Sequence, residues 1–125
     1  MNEPVWLEID LVTAIQAEQL AAFGGAAGVR DATLLASALD RPRNKYAYGE
    51  ASLPVLAAAC GFGIARNRPL VDGNKRTALL AIYTFLGLND IEFEVDEAEA
   101  TAVIEALAAG KLTEAELAAW IGRQM

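Results

Sequence analysis

The sequence predicts an all-α protein: a single domain with a bundle of about six helices. Hydrophobic residues make up 54% of the chain, and much of that share is alanine, which favours closely packed helices. Two segments open with the pattern that starts helices by reciprocal capping, Asp96–Glu99 and Thr113–Glu116. With 125 residues the chain is long enough for one hydrophobic core, so we assign residues 1–125 to one domain.

The first two helices are predicted by apolar spacing and by the residues that end them. Leu11, Ile15 and Leu20 lie on one helical face after Asp10, and a pair of glycines then ends the helix. The second helix is predicted over residues 31–40, because a proline two residues later normally ends or kinks a helix.

The remaining helices follow from similar signals. A third begins after Ser52, and a fourth follows Asn74 and ends near Gly87. Residues 91–95 alternate apolar and acidic side chains, which is typical of a short strand or an extended link. The two capping patterns then open the fifth and sixth helices.

Positive charge is concentrated in one part of an acidic chain. The net charge is −7, yet seven of the ten Lys and Arg residues fall between positions 41 and 76, where only Glu50 and Asp72 are acidic. Such a distribution indicates a local anion site. It argues against direct nucleic-acid binding, which requires a broader basic surface.

Several classes of site are disfavoured by what the sequence lacks. With no histidine, zinc sites built on histidine and serine triads are excluded. Cys60 stands alone in an apolar helical context and is predicted to be a core residue. No signal peptide and no run of ~18 apolar residues occur, so we expect a cytoplasmic protein with no membrane partner.

The most informative segment lies just before the fourth helix. Asp72 offers the hard oxygen ligand that Mg²⁺ takes together with phosphate oxygens. Gly73 lets the backbone bend towards a ligand, and Asn74 can donate to a phosphate or orient a neighbour. Lys75 and Arg76 add positive charge beside a helix N-terminus, which itself attracts anions. The segment therefore predicts a pocket for a phosphate and its metal.

A plainer interpretation of the same segment is a capped turn. Asp-Gly is a common turn, and Asp or Asn before a helix is a common cap. The concentration of positive charge favours the anion site over this alternative.

This segment resembles the signature of Fic-fold proteins, roughly His-x-Phe-x-Asp/Glu-Gly-Asn-Gly/Lys-Arg. It is more similar to the death-on-curing (Doc) toxin branch, in which lysine follows the asparagine. The resemblance extends over essentially all of the chain, including residues 4–7, 24–31 and 41–49. Two positions depart from the signature, since Arg68 stands where the family has its catalytic histidine and Leu70 where it has phenylalanine.

The resemblance implies a protein kinase activity of a toxin–antitoxin system. Doc-type toxins use ATP and Mg²⁺ to transfer the γ-phosphate to a hydroxyl of elongation factor Tu, which arrests translation in bacteria. By matching position, Asp72 would hold Mg²⁺, and the phosphates would be held by Gly73, Asn74, Lys75 and Arg76, assisted by Arg66.

The resemblance also implies a flap that docks the target chain. Residues 41–49 are similar to this flap, for which a short β-hairpin is a candidate form, whereas a plain surface loop is the alternative. The side chains assigned to the flap are Arg41, Arg43, Asn44, Tyr46 and Tyr48.

Arg68 puts catalysis in question. Arginine remains protonated in proteins and has no acceptor lone pair, so it cannot act as a general base. Loss of a general base typically lowers a rate roughly 10²–10⁴-fold. The competing hypothesis is therefore a non-catalytic homologue that binds a Phd-like antitoxin, either natural or inactivated by substitution. An adenylyl transferase is disfavoured, because that branch carries a second arginine at the position of Leu79.

Overall fold

Six α-helices account for most of residues 2–125, the part of the chain that the computed structural model describes. The predicted all-α class is confirmed. The isolated antiparallel bridge between Val29 and Leu70 is the extent of β-pairing in these residues. The helices are α1 Ile9–Phe23, α2 Ala32–Ala47, α3 Leu53–Asn67, α4 Asn74–Leu88, α5 Glu97–Ala108 and α6 Glu114–Gln124.

Helix α3 lies at the centre of the bundle and packs against α2, α4, α5 and α6. Its residues from Leu56 to Ala65 are buried apart from Phe62, and most of them are alanine or glycine. A Cβ atom on Gly63 would lie 2.8 Å from the Cβ of Ala38 in α2, and one on Gly61 would lie 2.6 Å from the side chain of Ile82 in α4. Small residues therefore let α3 approach both neighbours closely.

Helix α2 continues through Pro42 to Ala47, so the end predicted at Asp40 is wrong. A proline inside a helix removes one backbone hydrogen bond and costs about 3 kcal/mol. Packing of the proline and of the helix beyond it offsets this cost. Pro42 itself is buried, and Tyr46 lies edge-on to Trp6 with ring centroids 5.6 Å apart.

The expected β-hairpin flap is consequently not formed over residues 41–49. Residues 41–47 form the last turns of α2, and Tyr48 and Gly49 form the turn that follows. Tertiary packing of the helix beyond Pro42 overrides the stop signal that the proline gives in the sequence.

The link over residues 91–95 is extended but pairs with no strand among the described residues. Its alternation reflects burial, because the apolar side chains pack on the core while Glu92 and Glu94 are exposed. Phe93 contacts the rings of Tyr83 and Trp120. The extended-link alternative is therefore the correct one.

One predicted capping box is complete and the other is half formed. Thr113 and Glu116 each accept a hydrogen bond from the other's backbone N–H at the start of α6. Asp96 caps α5 by accepting from the N–H of Glu99. The carboxylate of Glu99 instead accepts a hydrogen bond of 2.8 Å from the indole N–H of Trp120.

Cys60 is buried, as predicted, and burial raises the pKa of its thiol to about 12. The thiol therefore stays protonated and unreactive near neutral pH. No helix among residues 2–125 has the length and hydropathy needed to cross a bilayer.

We predict that Gly63→Ala lowers the free energy of unfolding by about 1–3 kcal/mol, because the added methyl group meets the backbone and Cβ of Ala38. Gly87→Ala is the matched control, since a Cβ on Gly87 in α4 meets nothing within 4 Å. This control is expected to leave stability unchanged or raise it by up to about 1 kcal/mol. Urea denaturation of both variants measures the two free energies of unfolding. Equal effects would show that the close approach of α3 to α2 at Gly63 does not require glycine.

Candidate functional site

A cleft of about 950 Å³ opens at the start of α4. One wall is formed by residues 67–76, and the other by α5, with the end of α1 and Arg30 completing the rim. The cleft brings together six of the predicted site residues: Arg68, Asp72, Gly73, Asn74, Lys75 and Arg76.

The N-terminus of α4 carries no side-chain cap. Its N-cap residue is Gly73, in the left-handed conformation with φ 76° and ψ 21°. The first helical hydrogen bond runs from the N–H of Thr77 to the carbonyl of Gly73, at 2.9 Å. The backbone N–H groups before Thr77 in the first turn therefore have no carbonyl partner within the helix, and they are available to an anion at the cleft.

Neither polar neighbour of Gly73 acts as the helix cap that the plainer interpretation required. The Oδ2 atom of Asp72 accepts a hydrogen bond of 2.8 Å from the N–H of Ala26. The side-chain amide of Asn74 accepts from the N–H of Leu70 at 2.9 Å and donates to its carbonyl at 3.0 Å. Asn74 therefore orients the preceding loop, the second of the two roles expected for it.

Asp72 supplies one carboxylate for a metal. Its side chain is exposed at the cleft, and Ala26 is its hydrogen-bond partner among residues 2–125. No group of three or more Cys, Asp or Glu side chains in this part of the chain could hold a metal by itself. Mg²⁺ commonly binds through one or two carboxylates together with phosphate oxygens and water. The residues present therefore fit Mg²⁺ that arrives with a phosphate.

The positively charged side chains of the cleft differ in the contacts they make. The Nζ atom of Lys75 lies 2.9 and 3.0 Å from the two carboxylate oxygens of Glu105 in α5. The guanidinium of Arg76 stacks over the ring of Phe23 at 4.1 Å from its centroid. Arg68 is exposed and forms no ion pair with another residue of the described chain. Glu105 thus neutralises one predicted phosphate ligand.

Arg68 has an unusual backbone conformation. It ends α3 in the left-handed region, with φ 51° and ψ 56°. Arg30 holds this turn, because its Nε donates to the carbonyl of Arg68 at 2.7 Å and its Nη2 to that of Asn67 at 2.8 Å. The turn places the side chain of Arg68 in the lining of the cleft.

Arg66 is not part of the cleft lining. Its guanidinium lies over Phe62, 5.3 Å from the ring centroid, and next to Gly110. The structure therefore gives no support to the expected assistance of Arg66 in holding phosphates.

The predicted flap residues also lie outside the cleft lining. Arg41 pairs with Glu114, Arg43 lies 2.7 Å from the carboxylate of Glu8, and Tyr46 packs on Trp6. Asn44 and Tyr48 are exposed and belong to a separate shallow pocket.

The exposed segment that borders the cleft is instead residues 24–30. The N–H of Arg30 donates to the carbonyl of Pro69 at 2.8 Å, and the N–H of Val71 donates to the carbonyl of Gly28 at 3.0 Å. Residues 41–49 therefore do not border this cleft, and their role in docking a target chain stays a prediction. This segment falls within residues 24–31, one of the stretches that carry the family resemblance.

Three contributors to the site were missed from the sequence: Gln16, Arg30 and Glu105. Gln16 is the one with a local signal, because it is a polar residue on the apolar face that carries Val12 and Leu20. Arg30 and Glu105 act on residues more than 25 positions away in the chain, and no local pattern indicates such contacts.

Similarity to known proteins includes the segment before α4. A model described as the Fic/DOC family matches residues 6–86, which include α1 to α3, the loop and most of α4. The chain belongs to the Fic/DOC family.

A curated relative agrees with this assignment. The chain is 48% identical over 85 residues to a protein named Toxin Doc from Mycolicibacterium smegmatis. The match covers 62% of this chain and 65% of that protein, just under two thirds of its length. Helix α5 lies beyond the part that the Fic/DOC model matches, so Glu105 and the second wall of the cleft fall outside it.

We predict that Glu105→Gln raises the affinity for inorganic pyrophosphate about two- to five-fold, because it frees the ammonium group of Lys75 from an exposed ion pair. Isothermal titration calorimetry at low salt measures the affinity. Glu97→Gln is the control, since it removes the same charge from the same wall without breaking an ion pair. An equal gain in both variants would assign the effect to net charge alone.

Proposed function

We propose that this chain is a Doc-type toxin whose site binds Mg²⁺-ATP and presents the γ-phosphate to a protein hydroxyl. The observation that carries the proposal is the uncapped N-terminus of α4, which opens on a cleft together with Asp72, Lys75 and Arg76. Membership of the Fic/DOC family and similarity to a protein named Toxin Doc support the same activity class.

In the proposed reaction, the first-turn N–H groups of α4 and the guanidinium of Arg76 hold phosphate oxygens of ATP. Asp72 would hold Mg²⁺, and the bound cation would supply positive charge beside the transferred phosphoryl group. Lys75 joins the phosphates when they displace the carboxylate of Glu105. Positioning and charge neutralisation of this kind supply most of the catalysis in phosphoryl transfer.

Proton removal from the attacking hydroxyl is the step that this chain is least equipped to perform. Arg68, at the position of the family's histidine, cannot accept a proton. Of the carboxylates that line the cleft, Asp72 is assigned to the metal and Glu105 is bound to Lys75. Glu97 has no assigned role, but it lies on the opposite wall, on α5, and not at the histidine's position. We therefore infer that phosphotransfer by the chain as it stands is weak.

The second candidate function is a non-catalytic member that retains partner binding, and Arg68 is the observation that favours it. In both cases we propose a Phd-like antitoxin as the protein partner, bound through a segment that folds on binding. Elongation factor Tu is the proposed target of the active form, with arrest of bacterial translation as the outcome. Adenylyl transfer is less well supported, because the apolar Leu79 lines the cleft at the position of that branch's second arginine.

Restoring histidine tests the catalytic proposal. We expect Arg68→His to increase transfer of label from γ-labelled ATP to elongation factor Tu by about 10²–10⁴-fold, since histidine can accept the hydroxyl proton. Arg68→Gln is the control, because it removes the positive charge without supplying a base of useful strength. Equal transfer by the original chain and the histidine variant would contradict the assignment of this position, and movement of α-label would favour adenylyl transfer.

Removing the charge of Asp72 tests the metal site. Asp72→Asn should abolish most of the gain in ATP affinity that Mg²⁺ provides, while ATP binding without Mg²⁺ is retained. The fold should be preserved, because the amide oxygen of asparagine can still accept the hydrogen bond from Ala26. Calorimetric titrations with and without Mg²⁺ give the two affinities. An unchanged Mg²⁺ dependence would leave Asp72 with a purely structural role.

A further inference from the structure

A buried glutamine connects helix α1 to the loop that carries Asp72. Gln16 is 2% exposed, although it is polar and lies in the middle of a helix. Its Nε2 donates to the carbonyl of Gly28 at 3.1 Å and to the carbonyl of Asp72 at 3.0 Å. Its Oε1 accepts from the N–H of Gly28 at 3.3 Å. Because unpaired buried amides are strongly disfavoured, these bonds fix the side chain in one orientation.

The same neighbourhood fixes the carboxylate of Asp72. Its Oδ2 accepts the hydrogen bond from Ala26, two residues before the Gly28 that Gln16 holds. At Gly25, with φ 123°, the backbone passes close to the side chains of Asp72 and Leu20. A Cβ there would lie 3.5 Å from Oδ2 of Asp72 and 2.7 Å from the side chain of Leu20. One buried amide thus holds the backbone close to both ends of the Ala26–Asp72 bond, at Gly28 and at the carbonyl of Asp72.

This arrangement separates two parts of the cleft. The N–H groups at the start of α4 depend on the conformation of Gly73 and on the Asn74–Leu70 bonds. The orientation of the Asp72 carboxylate depends on segment 24–28 and on Gln16. Gln16 reaches the start of α4 through the carbonyl of Asp72, whereas the Asn74–Leu70 bonds hold the first turn without it. Changing Gln16 should therefore disturb the carboxylate more than the helix N-terminus.

We propose that Gln16 is a positioning residue that sets the orientation of the Asp72 carboxylate towards the cation accompanying a phosphate. The hydrogen-bonded path runs from Gln16 to the Gly28 backbone and the Asp72 carbonyl, and from Ala26 to Oδ2 of Asp72. The cation's part in this inference rests on the proposed function, whereas the positional part rests on the contacts alone.

The test compares Gln16→Met with Gln19→Met. Methionine keeps the length and apolar body of the side chain but loses all three hydrogen bonds. Gln19 lies on the same helix, is half-buried and makes no side-chain hydrogen bond within residues 2–125, so it is a matched control. Two quantities are measured: amide hydrogen exchange at Ala26 by NMR, and the ratio of ATP dissociation constants without and with Mg²⁺.

We expect Gln16→Met to speed exchange at Ala26 at least ten-fold and to lower the Mg²⁺ ratio at least five-fold. ATP affinity without Mg²⁺ should change less than two-fold, and Gln19→Met should move none of these values. A purely structural role for Gln16 would lower stability without changing the Mg²⁺ ratio, and that result would overturn the proposal. Unchanged exchange at Ala26 would overturn it as well.

Two further outcomes remain decisive. If the original chain binds no ATP with or without Mg²⁺, the proposed function fails, and the exchange rates alone decide the positioning role. If Gln16→Met does not fold, Gln16→Glu is measured in the same two ways, because glutamate keeps the shape of the side chain and an acceptor oxygen but loses both donated hydrogen bonds. Faster exchange at Ala26 together with a lower Mg²⁺ ratio supports the proposal, and no change in either quantity overturns it.

Discussion

Close packing of α3 against α2 and α4 is the constraint on which the site depends. Glycine at positions 61 and 63 lets the helix axes approach until a single added methyl group would overlap a neighbour. Because α3 ends at Asn67 and α4 begins at Asn74, a six-residue loop must turn between two helices that are held close together. That loop contains two residues with positive φ, Arg68 at 51° and Gly73 at 76°. The core thereby fixes the geometry of the loop, and the loop leaves the start of α4 uncapped.

Charge then divides the cleft into two unlike walls. Arg68, Lys75 and Arg76 lie on the side of the loop and α4, while Glu97 and Glu105 lie on α5. A phosphate ligand is attracted to the first wall and repelled by the second, so we expect it to sit close to the loop. Since Lys75 is already paired, binding would rely mainly on the helix N-terminus and on the two arginines. Such a site can hold an anion and still carry, at the position of the family's histidine, a residue that accepts no proton.

Much of this organisation was predictable from local sequence signals. Thr113 and Glu116 form the capping box that their spacing predicts, and the glycines after Phe23 end α1 as expected. These features depend on residues within one helical turn. The segment before α4 could likewise be predicted to be an anion site, because residue type, glycine and charge all occur together there, and the structure brings its side chains to one cleft.

The sequence-based predictions that were wrong or incomplete share one physical cause, namely contacts between residues that are distant in the chain. The end of α2 predicted at Asp40, before Pro42, was overridden by burial of the proline and by packing of Tyr46 on Trp6. Glu105 pairs with Lys75 from a different helix, thirty positions away, so the ammonium group of Lys75 is less free to bind a phosphate than local sequence predicts. Gln16 lies between these two cases. The sequence shows that it is a polar residue on an apolar helical face, but not that its partners are Gly28 and Asp72.

The measurement that tests this account most directly is a map of backbone amide shifts by NMR during titration with inorganic pyrophosphate and then with Mg²⁺. The account predicts that the largest shifts occur at the N–H groups of Asn74, Lys75 and Arg76, and that Mg²⁺ adds a shift at Asp72 and Ala26. Shifts confined to other surfaces, such as the neighbourhood of Arg66, or no saturable shifts at all, would contradict the claim that the start of α4 is the anion site.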